Sequence, residues 1–259
     1  MADLVLSRHV DGVAVVSFNR PERHNALNDA MIDQWREAVA DALATDGTRC
    51  LLLRGEGLSF SSGRDLQELG SRPRGETDAE YVAAAQAANL ALVRAKVPVV
   101  AAMQGHAIGG AFETALCADV RLAADDLRCS FPEIRSGLVP DTGASVMATA
   151  LAGASRTKLL VMTGRTIDAT TALAWGLVDE LVAVDRLDAA ALDLATHLAA
   201  APPVAVRAAK RLVDQAWLEG LEAGMKRELD AQVALFATAD HAEARAAFRE
   251  RRAPTFLGL

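Results

Sequence analysis

Short apolar runs alternate with longer stretches of helical periodicity, and this alternation limits the folds open to the chain more than any single motif does. Gly12 to Phe18 (GVAVVSF) is β-branched and reads as a strand, Cys50 to Leu53 is a second short apolar run, and Lys96 to Met103 (KVPVVAAM) has the pattern of a buried strand. After the first run, Asn28 is placed to cap a helix on which Ile32, Trp35, Val39 and Leu43 recur at helical spacing. A second helix with a long alanine-rich face is predicted over Asp78 to Arg94. Strands and helices alternating in this way build an α/β architecture. Aromatic residues make up only 4% of the 259, so the core must be built from Ala, Val and Leu.

The character changes after about residue 185. From there the chain is nearly all helix former, including Leu187–Leu198, Val204–Trp217 and Ala223–Phe236. The expected organisation is an α/β core over residues 1–185 and a helical region over 186–259. The apolar faces of that region are extensive enough to require a partner surface, either the chain's own core or a neighbouring subunit.

A net charge of -7 and a pI near 5.3 argue against a general nucleic-acid binder, whose affinity would come from phosphate neutralisation. A local cluster such as Arg20, Arg23 and His24 can still meet a small phosphorylated ligand. Cys50, Cys117 and Cys129 are odd in number and lack CxxC spacing, so they read as small buried hydrophobes in a reducing compartment. No apolar stretch approaches the roughly 18 residues of a membrane span, and MADLVLSRHVDG has no basic leader, so a cytoplasmic protein is expected. Phosphate-loop, GxGxxG, HExxH and GxSxG patterns are absent, and the five histidines lie far apart in sequence, with nothing to support a metal site.

Three segments can carry chemistry. In Gln104–Glu113 (QGHAIGGAFE), a buried strand leads through two glycines into an apolar helix, whose first N–H groups and positive dipole end favour an anionic oxygen. A turn that needs glycine for packing, with Glu113 complementing the dipole, satisfies the same pattern. Phe60–Leu66 (FSSGRDL) also runs from a strand region into an expected helix, and a surface turn with Asp65 as its cap is the plainer reading. Phe131–Gly143 (FPEIRSGLVPDTG) sets Glu133 and Asp141 in an apolar stretch, where a carboxylate has a raised pKa suited to proton transfer. Each acid also has a plainer reading: Glu133 as a cap or surface acid, and Asp141 as the cap of a helix starting near Thr142.

Taken together, the order and spacing of these segments resemble the enoyl-CoA hydratase/isomerase (crotonase) family. FSSGRDL is similar to its first oxyanion motif, GHAIGGAFETALCAD to its glycine signature with a trailing Asp119, and FPEIRSGLVP to its PE segment. NRPERHNALN, MTGRTIDATTALAWGLVDELV and AAFRERRAPTF match further landmarks, so the resemblance spans essentially the whole chain. It implies a spiral of ββα repeats followed by a helical region that builds homo-trimers, often paired into hexamers. It also implies an oxyanion hole from the N–H groups of Arg64 and Gly110, with Glu113 activating water at Cβ and Glu133 supplying the proton at Cα. Coenzyme A would lie along Arg23, His24, Ala26 and the turn formed by Ser62, Arg64, Asp65 and Leu66. Phe248 and Arg251 would reach its adenine end from a neighbouring subunit. No metal or redox cofactor is implied; the acyl group arrives as a coenzyme A thioester.

Three departures from the family pattern bear on the reaction. Arg64 stands where many hydratases have alanine, so its side chain could reach a CoA phosphate or a substrate carboxylate. Asp141, eight residues after Glu133, occupies a position that is often glycine in simple hydratases and acidic in dienoyl-CoA isomerases and the carnitine-related hydratases. TGASVMATAL lacks the usual GGxxRL run. The expected activity is therefore enoyl-CoA hydration. Double-bond isomerisation using Asp141 is the alternative, and a non-catalytic acyl-CoA-binding or RNA-associated homologue is a third reading. The intact glutamate pair speaks against inert binding, and the acidic pI against RNA.

Overall fold

A computed structural model describes residues 3–70, 72, 75–215 and 218–255. In chain order the strands are β1 (Val5–Val10), β2 (Val13–Phe18), β3 (Cys50–Gly55), β4 (Val99–Met103), β5 (His106–Ile108), β6 (Val120–Ala124), β7 (Arg128–Ser130), β8 (Ile167–Asp168) and β9 (Glu180–Val182). The helices are α1 (Asp29–Ala44), α2 (Asp78–Val93), α3 (Gly110–Leu116), α4 (Ala144–Ala152), α5 (Ala154–Thr163), α6 (Ala169–Ala174), α7 (Leu187–Ala200), α8 (Pro203–Gln215), α9 (Leu218–Phe236) and α10 (Ala239–Glu250). The main sheet runs β1-β2-β3-β4-β6-β9; only the β1–β2 hairpin is antiparallel, and every later neighbour is parallel. A smaller sheet, β5-β7-β8, stands beside it.

The central strands read as unbroken apolar runs because helices cover both of their faces. One face presents Val13, Val15, Cys50, Leu52, Val100 and Ala102 to α7, which answers with Leu187, Ala191, Ala195 and Ala199, every fourth residue of one helical stripe. The opposite face, with Val16, Phe18, Leu51, Leu53 and Met103, carries the larger core, in which Trp35 of α1 stacks on Phe18 at 4.1 Å between ring centroids. All three cysteines are buried and unpaired. Among the described residues, no single helix is long and apolar enough to cross a membrane.

The expected elements form within a few residues of their predicted ends. The Asn28 side chain accepts the Met31 N–H at the start of α1, and a reciprocal Thr77–Glu80 capping box opens α2. Trp217, the predicted end of the helix from Val204, lies outside the described residues. Two expectations need correction. No helix follows Asp65: residues 66–70 form turns, and the Asp65 carboxylate instead receives Gln67 N and the Arg20 guanidinium. Asp141 does not cap α4, which starts at Ala144 after Gly143 with no capping bond from its own N-terminal side chain. β1 has no apolar signature because it is an edge strand with mostly exposed side chains. The open question about the C-terminal helices is answered in part: α7 packs on the sheet, and α9 packs on α2 and α4.

The path of residues 59–65 sets up the site. This segment is stitched to β5 on one side, Ser61 N donating to His106 O and Ile108 N to Ser61 O. On the other side, Leu27 N donates to Gly63 O and Asp65 N to Leu27 O. That second ladder passes over the Arg64 N–H. Gly63 makes the close approach possible: its φ is +82°, and a Cβ there would stand 2.5 Å from the Ile108 carbonyl oxygen. Gly63→Ala is expected to lower unfolding stability by about 1–3 kcal/mol, read as a reduced midpoint in chemical denaturation.

Candidate active site

Helix α3 begins at Gly110, directly beyond β5, so its first N–H has no acceptor within the helix. Gly109 ahead of it adopts φ 57° and ψ -132°, which only glycine accepts readily, and this turn aims the helix start into a cavity. Arg64, Gly110, Glu113, Glu133 and Asp141 all line that cavity. Its remaining wall is largely apolar, with Leu27, Ile32, Trp35, Leu138 and Phe236.

The acids differ in how they are held. Glu113 of α3 is buried, and its Oε2 accepts the N–H groups of Thr142 (2.9 Å) and Ala144 (3.0 Å). Its carboxylate thus complements the start of α4, not the dipole of its own helix. Glu113 Oε1 has no partner. Glu133 opens a 3-10 turn (Glu133–Ser136); its Oε1 lies 2.5 Å from where a Gly109 Cβ would stand, and its Oε2 is unpartnered. The Gln232 side chain of α9 lies beside Asp141 and favours its charged form. Glu133 and Asp141 each keep part of their surface open to the cavity.

The Arg64 guanidinium is turned back on its own chain, pairing with Asp29 and donating to the carbonyls of Leu27 (3.0 Å) and Glu68 (3.1 Å). Arg23 and His24 are exposed on the preceding turn, Ala26 and Ser62 are half-buried, and Asp65 is paired with Arg20. Leu66 and Phe248 face each other across a second groove, formed within one chain and lined also by Arg245 and Arg249. Arg251 is exposed and lies outside that lining.

A family description for enoyl-CoA hydratase/isomerase matches residues 8–258. The chain belongs to the enoyl-CoA hydratase/isomerase family. It is 34% identical over 255 residues to a probable enoyl-CoA hydratase of Mycobacterium leprae, covering 98% of both chains. It is 31% identical to the 1,2-epoxyphenylacetyl-CoA isomerase of Escherichia coli over the full length of each. The crystal structure of an enoyl-CoA hydratase/isomerase from Pseudoalteromonas atlantica superposes with a TM-score of 0.89 at 30% identity, covering 98% of this chain and 100% of the other. The fold is the crotonase fold, and the chain is an enzyme of the hydratase or isomerase type.

In this member of the enoyl-CoA hydratase/isomerase family, the site concentrates carboxyl groups in a poorly hydrated space. Burial raises the Glu113 pKa well above the ordinary carboxyl range, and the charges of Glu133, Asp141 and Glu228 push in the same direction, against the bond from Ala144 N. Burial lifts Glu133 to about 8 and Asp141 to about 7, the latter helped by the charge of Glu228.

Sequence reading did not single out Glu228 and Gln232 of α9 or Gln86 and Asn89 of α2, all of which are buried. A signal was present. Met225, Glu228 and Gln232 fall at i, i+3 and i+7 on one stripe of α9, so polar residues occupy positions facing the core.

The raised acids have a consequence for stability. A carboxyl whose pKa is higher in the folded than in the unfolded chain stabilises fully below its unfolded value, and that contribution is lost as pH rises through the folded value. With Glu133 raised from 4.5 to about 8 and Asp141 from 3.8 to about 7, the loss spans roughly pH 4 to 8. Denaturation free energies are expected to fall from about pH 5 to about pH 8, and Asp141→Asn to flatten that fall. A stability that rises over this interval would contradict the assignment.

Proposed function

We propose that the protein is an enoyl-CoA hydratase, adding water across the 2,3 double bond of an enoyl-CoA thioester. One observation carries the reading. Glu113 Oε1 and Glu133 Oε2, both without partners, belong to residues lining the same largely apolar cavity as the free N–H at the start of α3. The thioester oxygen would sit between the N–H groups of Gly110 and Arg64, which stabilise the enolate-like charge that develops there. Glu113 takes a proton from water as its oxygen bonds to Cβ, and Glu133 delivers a proton to Cα. The two amide bonds to Glu113 Oε2 oppose the rise that burial and the neighbouring charges impose on its pKa, while the raised pKa of Glu133 keeps a proton available near neutral pH. The apolar wall suits a hydrocarbon-like acyl group. CoA itself would run past Ala26, Ser62, Asp65 and Leu66, with Arg23 and His24 exposed beside its phosphates. The reaction needs no cofactor beyond the CoA carried by the substrate.

A second reading, double-bond isomerisation, draws support from Asp141. It opens on the same cavity with a pKa near 7 and is a third acid for which simple hydration has no direct task. Glu113→Gln and Glu133→Gln are each expected to cut hydration of a short enoyl-CoA by about 10²-fold or more, with CoA-ester binding retained. Asp141→Asn should leave hydration largely intact; loss of dienoyl- or enoyl-CoA isomerisation in that variant would shift the assignment to isomerase.

We also propose that the enzyme is a homo-trimer or a hexamer of paired trimers. Helix α8 leaves Val204, Leu212 and Val213 at 79%, 68% and 66% exposure, and α5 exposes Leu159 and Met162, apolar side chains that a neighbouring subunit would cover. Light scattering should show an oligomer for the wild type and a smaller species for Leu212→Glu. A monomeric, fully active wild type would overturn this assembly.

A further inference from the structure

The segment Asp141–Ser145, which carries Asp141 and opens α4, is gripped by side chains from three helices. Gln86 Nε2 donates to the Asp141 carbonyl at 2.7 Å, and Asn89 Nδ2 donates to the Thr142 carbonyl at 2.9 Å. The amides of the segment alternate between two carboxylates. Thr142 N and Ala144 N donate to Glu113, while Gly143 N and Ser145 N donate to Glu228 Oε2 and Oε1 at 2.7 and 2.8 Å. Consecutive N–H groups thus point to opposite sides, and each side holds one acid. Glu228 comes from α9, far along the chain, and is only 6% exposed. A buried carboxylate accepting an amide on each oxygen is rigidly oriented, so it fixes the segment's backbone as firmly as the segment fixes it.

We propose that Glu228 is a positioning residue for catalysis: by holding the Gly143 and Ser145 amides from the far side, it sets the backbone register that leaves Glu113 Oε1 free toward the substrate and holds Asp141 at the cavity wall. This rests on the assignment of Glu113 as the general base. It requires no contact between Glu228 and the substrate, and Glu228 does not line the cavity. Glu228 also acts through charge. From α3 it faces Glu113 and Cys117, from the segment before α4 it faces Asp141, and from its own helix Arg227 offsets it. Beyond these stand Glu133 and, on the Asp141 side, Arg72. Burial raises the pKa of Glu228 itself, and in its ionised form its charge makes Glu113 and Asp141 harder to ionise. Replacing it by a neutral group of the same shape therefore lowers both pKa values.

The test is Glu228→Gln in the full-length protein, measured beside Glu113→Gln. A glutamine keeps the shape but can turn only one oxygen to the two amides, so one amide loses its acceptor. The expected result is folded protein with wild-type KM, kcat for hydration reduced roughly 10–100-fold, and the acid limb of the kcat–pH profile moved roughly one unit lower. Glu228→Asp keeps the charge but withdraws it by one methylene, and is expected to lose kcat without moving that limb. If the Gln variant does not fold, the Asp variant decides, and wild-type kcat in folded Glu228→Asp overturns the proposal. An unchanged kcat and pH profile in folded Glu228→Gln overturns it too, as does a loss of melting temperature with kcat per folded molecule intact. If Glu113→Gln retains hydration, the hydratase reading fails separately; an inactive Glu113→Gln beside an unaltered Glu228→Gln sinks the positioning role alone.

Discussion

The first turn of α4 has its amides satisfied by two buried carboxylates instead of by a cap from its own chain end. A helix start needs acceptors for its orphan N–H groups, and the local sequence Thr142–Gly143–Ala144 supplies no capping side-chain bond. Glu113 and Glu228 fill that need from α3 and α9. The cost of burying these acids is met in part by four amide bonds and the positive end of a helix. The same bonds tie α3, α4 and α9 together around the cavity.

That tie explains how one surface can be both apolar and acidic. The largely apolar wall buries the acids, which raises their carboxyl pKa values, and they stand close enough to repel one another. These carboxyl groups therefore hold their protons to higher pH than they would in water. A wetter site would hold the same residues fully ionised and leave no proton to donate. The stability given up by crowding acids together is the familiar expense of a working site.

Arg64, a departure from the family pattern, is absorbed into the fold by its own contacts. Its cation is consumed by Asp29 and by the carbonyls of Leu27 and Glu68, closing the gap between the Leu27 segment and the turn after Asp65. The side chain becomes a strut, and its N–H is left for the cavity. Where a smaller residue would leave this turn to its backbone alone, the guanidinium holds it from three directions. Tyr81 adds a ring 5.7 Å from the guanidinium carbon.

Much of the molecule was legible from the chain alone. The buried strands, α1 with its Asn28 cap, α2 and the helical C-terminal region follow from hydrophobic period and capping chemistry, because those signals are local. The glycine turn before α3 and the acids Glu113, Glu133 and Asp141 could be picked out for a similar reason: short segments bring the required residue types together. What the chain alone did not reveal depends on contacts distant in sequence. The edge strand β1 has no apolar stripe because its side chains are mostly exposed. Asp65 starts no helix because its carboxylate is drawn to Arg20, 45 residues away. Asp141 is no cap because acids 31 and 83 residues distant from their amides, Glu113 and Glu228, already hold the start of α4. The sequence by itself determined which residues could do the chemistry and which segments would fold locally; only the tertiary structure decided which carboxylate serves a helix and which oxygen faces the cavity, because a hydrogen-bond partner is chosen by distance in space.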